Sequence, residues 1–227
     1  MSQKLNVIAI DGPAGSGKST VARLVAKSLG LFYIDTGAMY RALTLKAIEQ
    51  KIDLDEAALL ERLSENSDIR IEENGASLRV LLDGKDVSAG IRDPYVTERV
   101  KYVARVEGVR RNMVALQRLL ASRMNGGVLE GRDIGTVVFP EAAHKFFLDA
   151  AFEERVDRRY KELSMKGVQI TREDVSKDLE LRDNSDRTRK VGPLKKAGDA
   201  VAIDTTGLTV EDVVAEILKY VGRKAAS

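Results

Sequence analysis

Short apolar runs alternate along this chain with segments in which apolar residues recur every three or four positions. Five of the runs are apolar throughout, at 7–10, 32–34, 128–129, 146–148 and 201–203. Strands that are apolar on both faces are typical of a parallel sheet, because crossover helices cover both sides of such a sheet. The pattern therefore predicts an α/β fold with a doubly wound five-stranded parallel sheet and helices on both faces.

Residues 69–91 break this alternation. Apolar and polar residues alternate there one by one, around an Asn-Gly pair at 74–75 and an Asp-Gly pair at 83–84. This pattern is typical of β-hairpins, because such pairs adopt the tight turns that join antiparallel strands. We expect a small three-stranded antiparallel meander, inserted between a helix near 38–51 and a helical stretch that begins near Pro94.

The second half of the chain carries signals for helix ends. A charged helical pattern at 153–166 stops at Gly167, since glycine favours the left-handed conformation that ends a helix. Two further helices are expected to begin after capping residues, Thr171 with Asp174 and Thr209 with Asp212. His144 follows Pro140, and we expect it in an exposed turn without a functional role.

Composition narrows the possible chemistry. The 227 residues include 37 basic and 35 acidic side chains, a net charge of +2, which argues against a purely electrostatic nucleic-acid binder. Cysteine is absent and His144 is the only histidine, which excludes disulfides, thiol catalysis and Cys/His zinc sites. No stretch approaches the roughly 18 apolar residues of a membrane span. We expect an unprocessed cytoplasmic protein that binds neither membranes nor, stably, nucleic acid.

The most specific motif is GPAGSGKS at 12–19, directly after the first apolar run. It fits the pattern G-x-x-x-x-G-K-[ST], in which glycines let backbone amides approach phosphate oxygens closely. Lys18 would contact the β- and γ-phosphates of ATP, and Ser19 would bind Mg²⁺. The sequence thus predicts a nucleotide-binding loop formed by Gly12, Pro13, Ala14, Gly15, Ser16, Gly17, Lys18, Ser19 and Thr20.

Arginines and carboxylates follow the predicted strands and reappear on a late helix. Phosphoryl transfer requires convergent cations, because its transition state spreads negative charge over the phosphoryl oxygens. The carboxyl ends of parallel strands meet at one edge of a sheet, so these side chains can converge. Each one alone could equally be a solvated surface group, and each carboxylate could serve only to orient an arginine. The set comprises Arg41, Arg132, Arg155, Arg158, Arg159, Arg182, Arg187 and Arg189, with Asp35, Asp133, Asp149, Asp183 and Asp186.

Five blocks of sequence together resemble the bacterial cytidylate kinases. They are GPAGSGKS at 12–19, DTGAMYR at 35–41, GRDIGTVVFP at 131–140, the segment from 182 to 194, and DTT at 204–206. The resemblance implies Mg²⁺-dependent transfer of the ATP γ-phosphate to CMP or dCMP, with UMP a poorer acceptor. It also implies a single kinase domain over 1–227, with a core at 1–37, 125–150 and 190–227, a nucleoside-monophosphate lobe at 38–124, and a lid near 152–172.

The same resemblance assigns individual residues. It puts Arg41, Arg132 and Arg189 at the acceptor phosphate, Arg110 and Asp133 at the cytosine edge, and Arg182 with Asp186 near the sugar. It makes Arg158 and its neighbours Arg155 and Arg159 the lid arginines that reach the ATP phosphates. Lys18, Arg132, Arg158 and Arg189 would be the catalytic cations.

Two positions depart from the family pattern. Thr36 stands where serine is often found and retains a hydroxyl toward the substrate. Lys101 stands where family members often carry a small hydroxyl residue that faces the cytosine. If Lys101 faces the base, its amino group would favour the O2 atom and relax the discrimination against uracil.

Two other functions are compatible with the residues. Another small P-loop kinase could phosphorylate a metabolite hydroxyl, but that chemistry would require a base near the acceptor. A nucleotide-gated module could hold nucleic acid with the basic segments 105–123 and 155–166, but the low net charge and the lack of interleaved aromatic residues count against it. For a monophosphate acceptor we expect in-line transfer by a monomeric enzyme without a covalent intermediate.

Overall fold

The computed structural model describes residues 5–74 and 77–225. The helices and strands are, in chain order, β1 (Asn6–Asp11), α1 (Lys18–Leu29), β2 (Tyr33–Asp35), α2 (Thr36–Glu49), α3 (Ala57–Glu65), β3 (Ile69–Asn74), β4 (Ser77–Leu82), β5 (Lys85–Asp86), α4 (Pro94–Ala104), α5 (Glu107–Arg123), β6 (Gly126–Gly131), β7 (His144–Asp149), α6 (Phe152–Met165), α7 (Arg172–Thr188), β8 (Val201–Asp204) and α8 (Val210–Ala225). The chain divides into two compact units, a first unit of Met1–Tyr33 with Ala121–Ser227 and a second unit of Ile34–Leu120.

Across the described residues, β1, β2, β6, β7 and β8 form one sheet in the order β2-β6-β1-β7-β8. The pairs β1 with β6, β1 with β7, and β7 with β8 are parallel. Every residue of β6 is buried, as is every residue of β1 after Asn6, so both faces of the central strands are covered. The predicted α/β fold with a five-stranded parallel sheet is therefore confirmed.

Helices of the first unit pack on this sheet and on each other. Helix α1 contacts β6 and α8, and α6 packs against α7. The helix signals in the sequence are confirmed: Gly167 follows α6 with φ of 76°, and the hydroxyls of Thr171 and Thr209 accept hydrogen bonds from the amides of Asp174 and Asp212. No helix in the described part of the chain is long and apolar enough to cross a membrane.

In the second unit, β3, β4 and β5 form the predicted three-stranded antiparallel meander. Gly75 of the predicted Asn-Gly turn lies outside the described residues, while the Asp83-Gly84 turn has positive φ at both positions. The buried Lys46 of α2 connects the meander to the helices, because its Nζ donates to the Asn66 carbonyl and the Ser67 hydroxyl and pairs with Asp83 at 2.7 Å.

Three features differ from the sequence analysis or were absent from it. Helix α3 was not predicted. A π-helical turn at Ile134–Val138 follows β6, within a glycine-containing segment that carries no helical periodicity. The prediction for His144 was wrong: it is a half-buried residue at the start of β7, opposite Ile8 of β1, because strand pairing extends two residues before the apolar run.

Candidate active site

The predicted nucleotide-binding loop connects the end of β1 to the start of α1. Its three glycines have positive φ, which other residues adopt with strain: 152° at Gly12, 77° at Gly15 and 85° at Gly17. A Cβ at Gly12 would lie 2.0 Å from the carbonyl oxygen of Leu148, so the loop requires glycine there. Gly17 precedes α1 and has no side chain to cap it, which leaves the helix N-terminus suited to an anion.

Lys18 is buried at the start of α1. Its Nζ donates to the Pro13 carbonyl at 2.5 Å and to the Ser16 hydroxyl at 3.3 Å, which folds its side chain back over the loop. Burial and, after it, the positive charge of Arg132 together lower its pKa to about 7, against the opposing effect of Glu130. A buried cation beside a second cation is stabilised by a bound anion, so these residues fit a polyphosphate.

Ser19 and Thr20 are exposed in the first turn of α1. A hydroxyl at this position is suited to a magnesium ion that accompanies ATP, because Mg²⁺ takes few protein ligands and shares the nucleotide's phosphate oxygens. Within residues 5–74 and 77–225 no cluster of three or more acidic or histidine side chains could hold a metal ion alone.

The first unit brings together a network of four charged side chains predicted for the site. Asp186 accepts from Arg132 Nε at 2.7 Å and from Arg189 Nη1 at 3.3 Å. Arg189 also pairs with Asp133 at 3.7 Å and donates through Nε to the Gly192 carbonyl. Burial would raise the pKa of Asp186, but Arg132, Arg182 and Arg189 hold it below its usual value. The carboxylate is thus ionised and fixes the arginines in place.

Asp11 organises the same region, although the sequence analysis gave it no role. At the end of β1, its two carboxylate oxygens accept from the amides of Ile134 and Gly135, each at 2.8 Å. Asp11 thereby fixes the π-helical turn that follows Arg132 and Asp133. Burial raises its pKa to about 6, although the two amide hydrogen bonds act in the opposite direction.

The predicted lid arginines on α6 are held by protein acceptors. Arg158 donates to the hydroxyl and carbonyl oxygens of Thr205 at 3.0 and 2.7 Å, and Arg159 donates to Glu162 at 2.8 Å. Arg155 is buried and pairs with Asp183 of α7 at 2.6 Å. Their predicted contact with ATP stays a prediction.

Three of the predicted site residues lie at the start of α2. The Asp35 carboxylate caps the helix by accepting from the Ala38 amide at 2.9 Å, and it accepts from Arg41 at 2.8 Å. Burial would raise the pKa of Asp35, but Arg41 holds it below its usual value. A Cβ at Gly37 would lie 2.9 Å from the Arg41 guanidinium, so glycine leaves room for this pair. Thr36 beside them is buried.

Arg110 and Lys101 occupy other helices of the second unit. Arg110 of α5 is buried, donates to the Ala104 carbonyl at 3.2 Å, and lies 5.5 Å from the centre of the Tyr40 ring. Lys101 of α4 is half-buried, with its Nζ 5.4 Å from the centre of the Tyr102 ring. Both remain candidates for the cytosine contacts expected from the sequence.

A phosphate-binding loop at the switch from β1 to α1, a buried lysine and a network of arginines on a parallel sheet define a P-loop phosphotransferase. The sequence model of the family described as cytidylate kinase matches residues 8–223. The chain belongs to the cytidylate kinase family and is therefore a nucleoside monophosphate kinase. This membership confirms the resemblance and the predicted enzyme class.

Individual relatives agree with this assignment. A cytidylate kinase from Carboxydothermus hydrogenoformans is 48% identical over 217 residues, which cover 96% of this chain and 97% of that one. A cytidylate kinase from Desulforamulus reducens is 51% identical over 215 residues, covering 94% and 96%. The crystal structure of an uncharacterized protein from Eubacterium ventriosum matches with a TM-score of 0.52 at 13% identity, covering 95% and 98% of the two chains. That match concerns the fold alone.

Proposed function

We propose that this enzyme transfers the γ-phosphoryl group of ATP, bound with Mg²⁺, to CMP or dCMP, giving CDP or dCDP and ADP. The observation that carries the proposal is the buried Lys18 in its glycine loop, next to the arginine network at the end of β6. The curated relatives are named cytidylate kinases, which supports a cytidine monophosphate as the acceptor. UMP is proposed as a poorer acceptor.

The nucleotide-binding loop and the start of α1 form the donor side. The backbone N–H groups of residues 12 and 14–20 and the Lys18 ammonium bind the β- and γ-phosphates, and Ser19 binds Mg²⁺ through its hydroxyl. ATP supplies the phosphoryl group when bound. The positive charge of Lys18 neutralises charge that develops on that group, so its contribution is greatest in the transition state.

Arginines form the acceptor side. In the first unit, Arg132 and Arg189 bind the acceptor phosphate, and Asp186 holds both guanidinium groups in position. Arg41 of the second unit is proposed to join them, with its orientation set by Asp35 and with Thr36 beside it. A monophosphate is already ionised near neutral pH, so the transfer needs no general base.

The chemistry of cytosine supports the residues that the family resemblance implies for the base. Its N4 amino group donates while N3 and O2 accept, so a carboxylate and an arginine together can recognise it. We assign these contacts to Asp133 and Arg110, and the sugar contacts to Arg182 with Asp186. Lys101 is proposed to contact the base from α4.

The lid residues complete the proposal. Arg158 and Arg159 on α6 would add positive charge toward the ATP phosphates, once released from Thr205 and Glu162. Closure of this segment would exclude water from the phosphoryl group, which limits hydrolysis of ATP. The domain boundaries, a monomeric state, a cytoplasmic location and the absence of a stable nucleic-acid partner stay predictions.

The direct test measures ADP formation from ATP with CMP, dCMP, UMP, AMP and GMP as acceptors, with and without Mg²⁺, beside a control without acceptor. We expect strong turnover with CMP and dCMP, weaker turnover with UMP, and turnover near the control with the purines or without Mg²⁺. Equal rates with all acceptors would contradict the assignment of Arg110 and Asp133. Turnover that persists without Mg²⁺ would contradict the role of Ser19.

A further inference from the structure

A buried ion pair lies between the nucleotide-binding loop and helix α7. The Nη1 atom of Arg155 on α6 donates to Oδ2 of Asp183 at 2.6 Å and to the Ala14 carbonyl of the loop at 3.0 Å. Its Nε donates to the Ala150 carbonyl at 3.2 Å. The two side chains are only 4% and 7% exposed. One guanidinium thus forms hydrogen bonds to the loop, to Ala150 just before α6 and to Asp183 of α7.

Apolar packing reinforces this connection. Ala14 of the loop belongs to a buried cluster with Val156 and Leu163 of α6 and with Val175 and Leu179 of α7. A Cβ at Gly15 would lie 3.0 Å from the Arg155 carbonyl oxygen, so the loop backbone rests directly against α6. The loop therefore cannot shift without moving Arg155 or losing these contacts.

Asp183 connects in turn to the arginine network. It lies on α7 between Arg182 and Asp186, and its charge is one of those that raise the pKa of Arg132 against the effect of burial. Its second oxygen, Oδ1, is buried and makes no hydrogen bond to any residue that the structure describes. The carboxylate therefore depends on Arg155 for its position.

We propose that Arg155 and Asp183 are positioning residues that couple the nucleotide-binding loop to α7, so that a donor in the loop strengthens binding of the acceptor. Phosphates that order the loop fix the Ala14 carbonyl, which fixes Arg155, then Asp183 and the neighbouring Arg182 and Asp186. By linkage, the acceptor strengthens donor binding by the same factor. This coupling rests on the proposed function, and it assigns Arg155 a task other than the phosphate contact expected from the sequence.

The variants must separate coupling from folding. Removing one partner would leave a buried charge without its counterion, which is strongly destabilising. The double variant Arg155→Met with Asp183→Leu removes both charges, keeps apolar volume between α6 and α7, and deletes the hydrogen bond to the loop. Asp157→Asn is the matched control, because it breaks an exposed α6–α7 ion pair with Arg172 that does not contact the loop. Arg155→Lys provides a second test, since a single ammonium group cannot form all the hydrogen bonds that the guanidinium donates to Ala14, Ala150 and Asp183.

The experiment measures the Kd of CMP by calorimetry with and without a non-hydrolysable ATP analogue, and amide hydrogen exchange of residues 14–20 in the unliganded protein. In the unsubstituted enzyme we expect the analogue to lower the Kd of CMP by roughly 5- to 10-fold. In the double variant this factor should fall below about 2-fold, and exchange in the loop should become about 10-fold faster. Asp157→Asn should retain both values, and Arg155→Lys should weaken the coupling.

Three results would overturn the coupling. One is an unsubstituted enzyme in which the analogue leaves the Kd of CMP unchanged. Another is a double variant with a normal melting temperature that retains full coupling. The third is a variant that loses analogue affinity while the factor persists, which would make Arg155 a phosphate ligand. Failure of the proposed function is distinct, because the unsubstituted enzyme would then neither bind nor phosphorylate CMP, while hydrogen exchange would still test the connection to the loop.

Discussion

Two groups of charged side chains, one from each unit, differ in burial. In the first unit, Arg155 and Arg189 are 4% and 6% exposed, and each contacts more than one acceptor. In the second unit, Arg111 pairs with Glu61 and Glu107 but is 61% exposed. Exposed pairs contribute little to stability and leave the side chains mobile, whereas buried arginines with several partners are fixed in direction. Fixed direction is what phosphate recognition requires.

The largest effect is expected at Lys18, a buried cation of the first unit. Lys18→Ala removes the charge beside the donor phosphates, and kcat should fall by about 10³-fold. Lys27→Ala, at the exposed end of the same helix, should leave kcat unchanged. Steady-state ADP formation measures both variants. An unchanged rate in Lys18→Ala would rule out the assignment of the loop.

The pH dependence of the free energy of unfolding tests the effect of burial on Asp11. Its pKa is raised to about 6 in the folded protein from 3.8, so the folded state binds this proton more tightly than the unfolded state does. The resulting stabilisation is complete below the unfolded pKa and is lost as pH rises through the folded one, a change of about 3 kcal/mol.

Asn does not titrate, so between pH 4 and pH 7 Asp11→Asn should gain most of that amount relative to the unsubstituted enzyme. Urea unfolding at several pH values measures the difference in the free energy of unfolding. If the free energies of unfolding of the two proteins change in parallel with pH across this range, the pKa of Asp11 is not raised by folding.

Substitution of Arg132 and of Arg111 compares the loss of a mostly buried arginine with the loss of an exposed one. Arg132→Met leaves Asp186 without its shortest hydrogen bond and removes a proposed phosphate contact. We expect kcat/KM for CMP to fall by about 50-fold, since each hydrogen bond to a charged group contributes roughly 1.5–3 kcal/mol. Arg111→Met should change it less than about 2-fold. Equal losses in the two variants would remove the distinction between the buried and the exposed sets of charges.

Lys101 should give the smallest effect. Lys101→Ser exchanges a donor proposed to contact O2, which cytosine and uracil share, for a small hydroxyl that can accept from the N4 amino group of cytosine alone. The ratio of kcat/KM for CMP to that for UMP should therefore rise by about 3-fold, the contribution of one ordinary hydrogen bond. Kinetics with both nucleotides measures this ratio. The same ratio in the unsubstituted enzyme and in Lys101→Ser would show that Lys101 does not face the base.

Local patterns allowed most of the fold to be predicted. The five strands of the parallel sheet, the meander and the capped helices each depend on residues close together in sequence, as does the nucleotide-binding loop. Contacts between distant residues could not be read in the same way. Asp11 binds the amides of Ile134 and Gly135, and Arg155 binds the Ala14 carbonyl. The periodicity of apolar residues within one segment gives no information about contacts between residues so far apart in the sequence.

Arg155 illustrates the limit of what sequence spacing can distinguish. It shares a helical face with Arg158 and Arg159, and sequence spacing alone groups the three as equivalent cations. Burial separates them, because Arg155 is enclosed between α7 and the loop while Arg159 pairs with Glu162 at the surface of α6. This difference in burial comes from the packing of α6 on the loop, which sequence spacing does not reveal.

The contact between Gly12 and Leu148 has a consequence for transplanting this motif. The loop lies so close to the end of β7 that the Leu148 carbonyl leaves no room for a Cβ at Gly12, so the neighbouring strand restricts the path of the loop. An isolated peptide with the sequence GPAGSGKS would lack this support and would sample many backbone conformations. Grafting the octapeptide into a new protein therefore requires a parallel strand beside it whose last carbonyls take the place of Leu148.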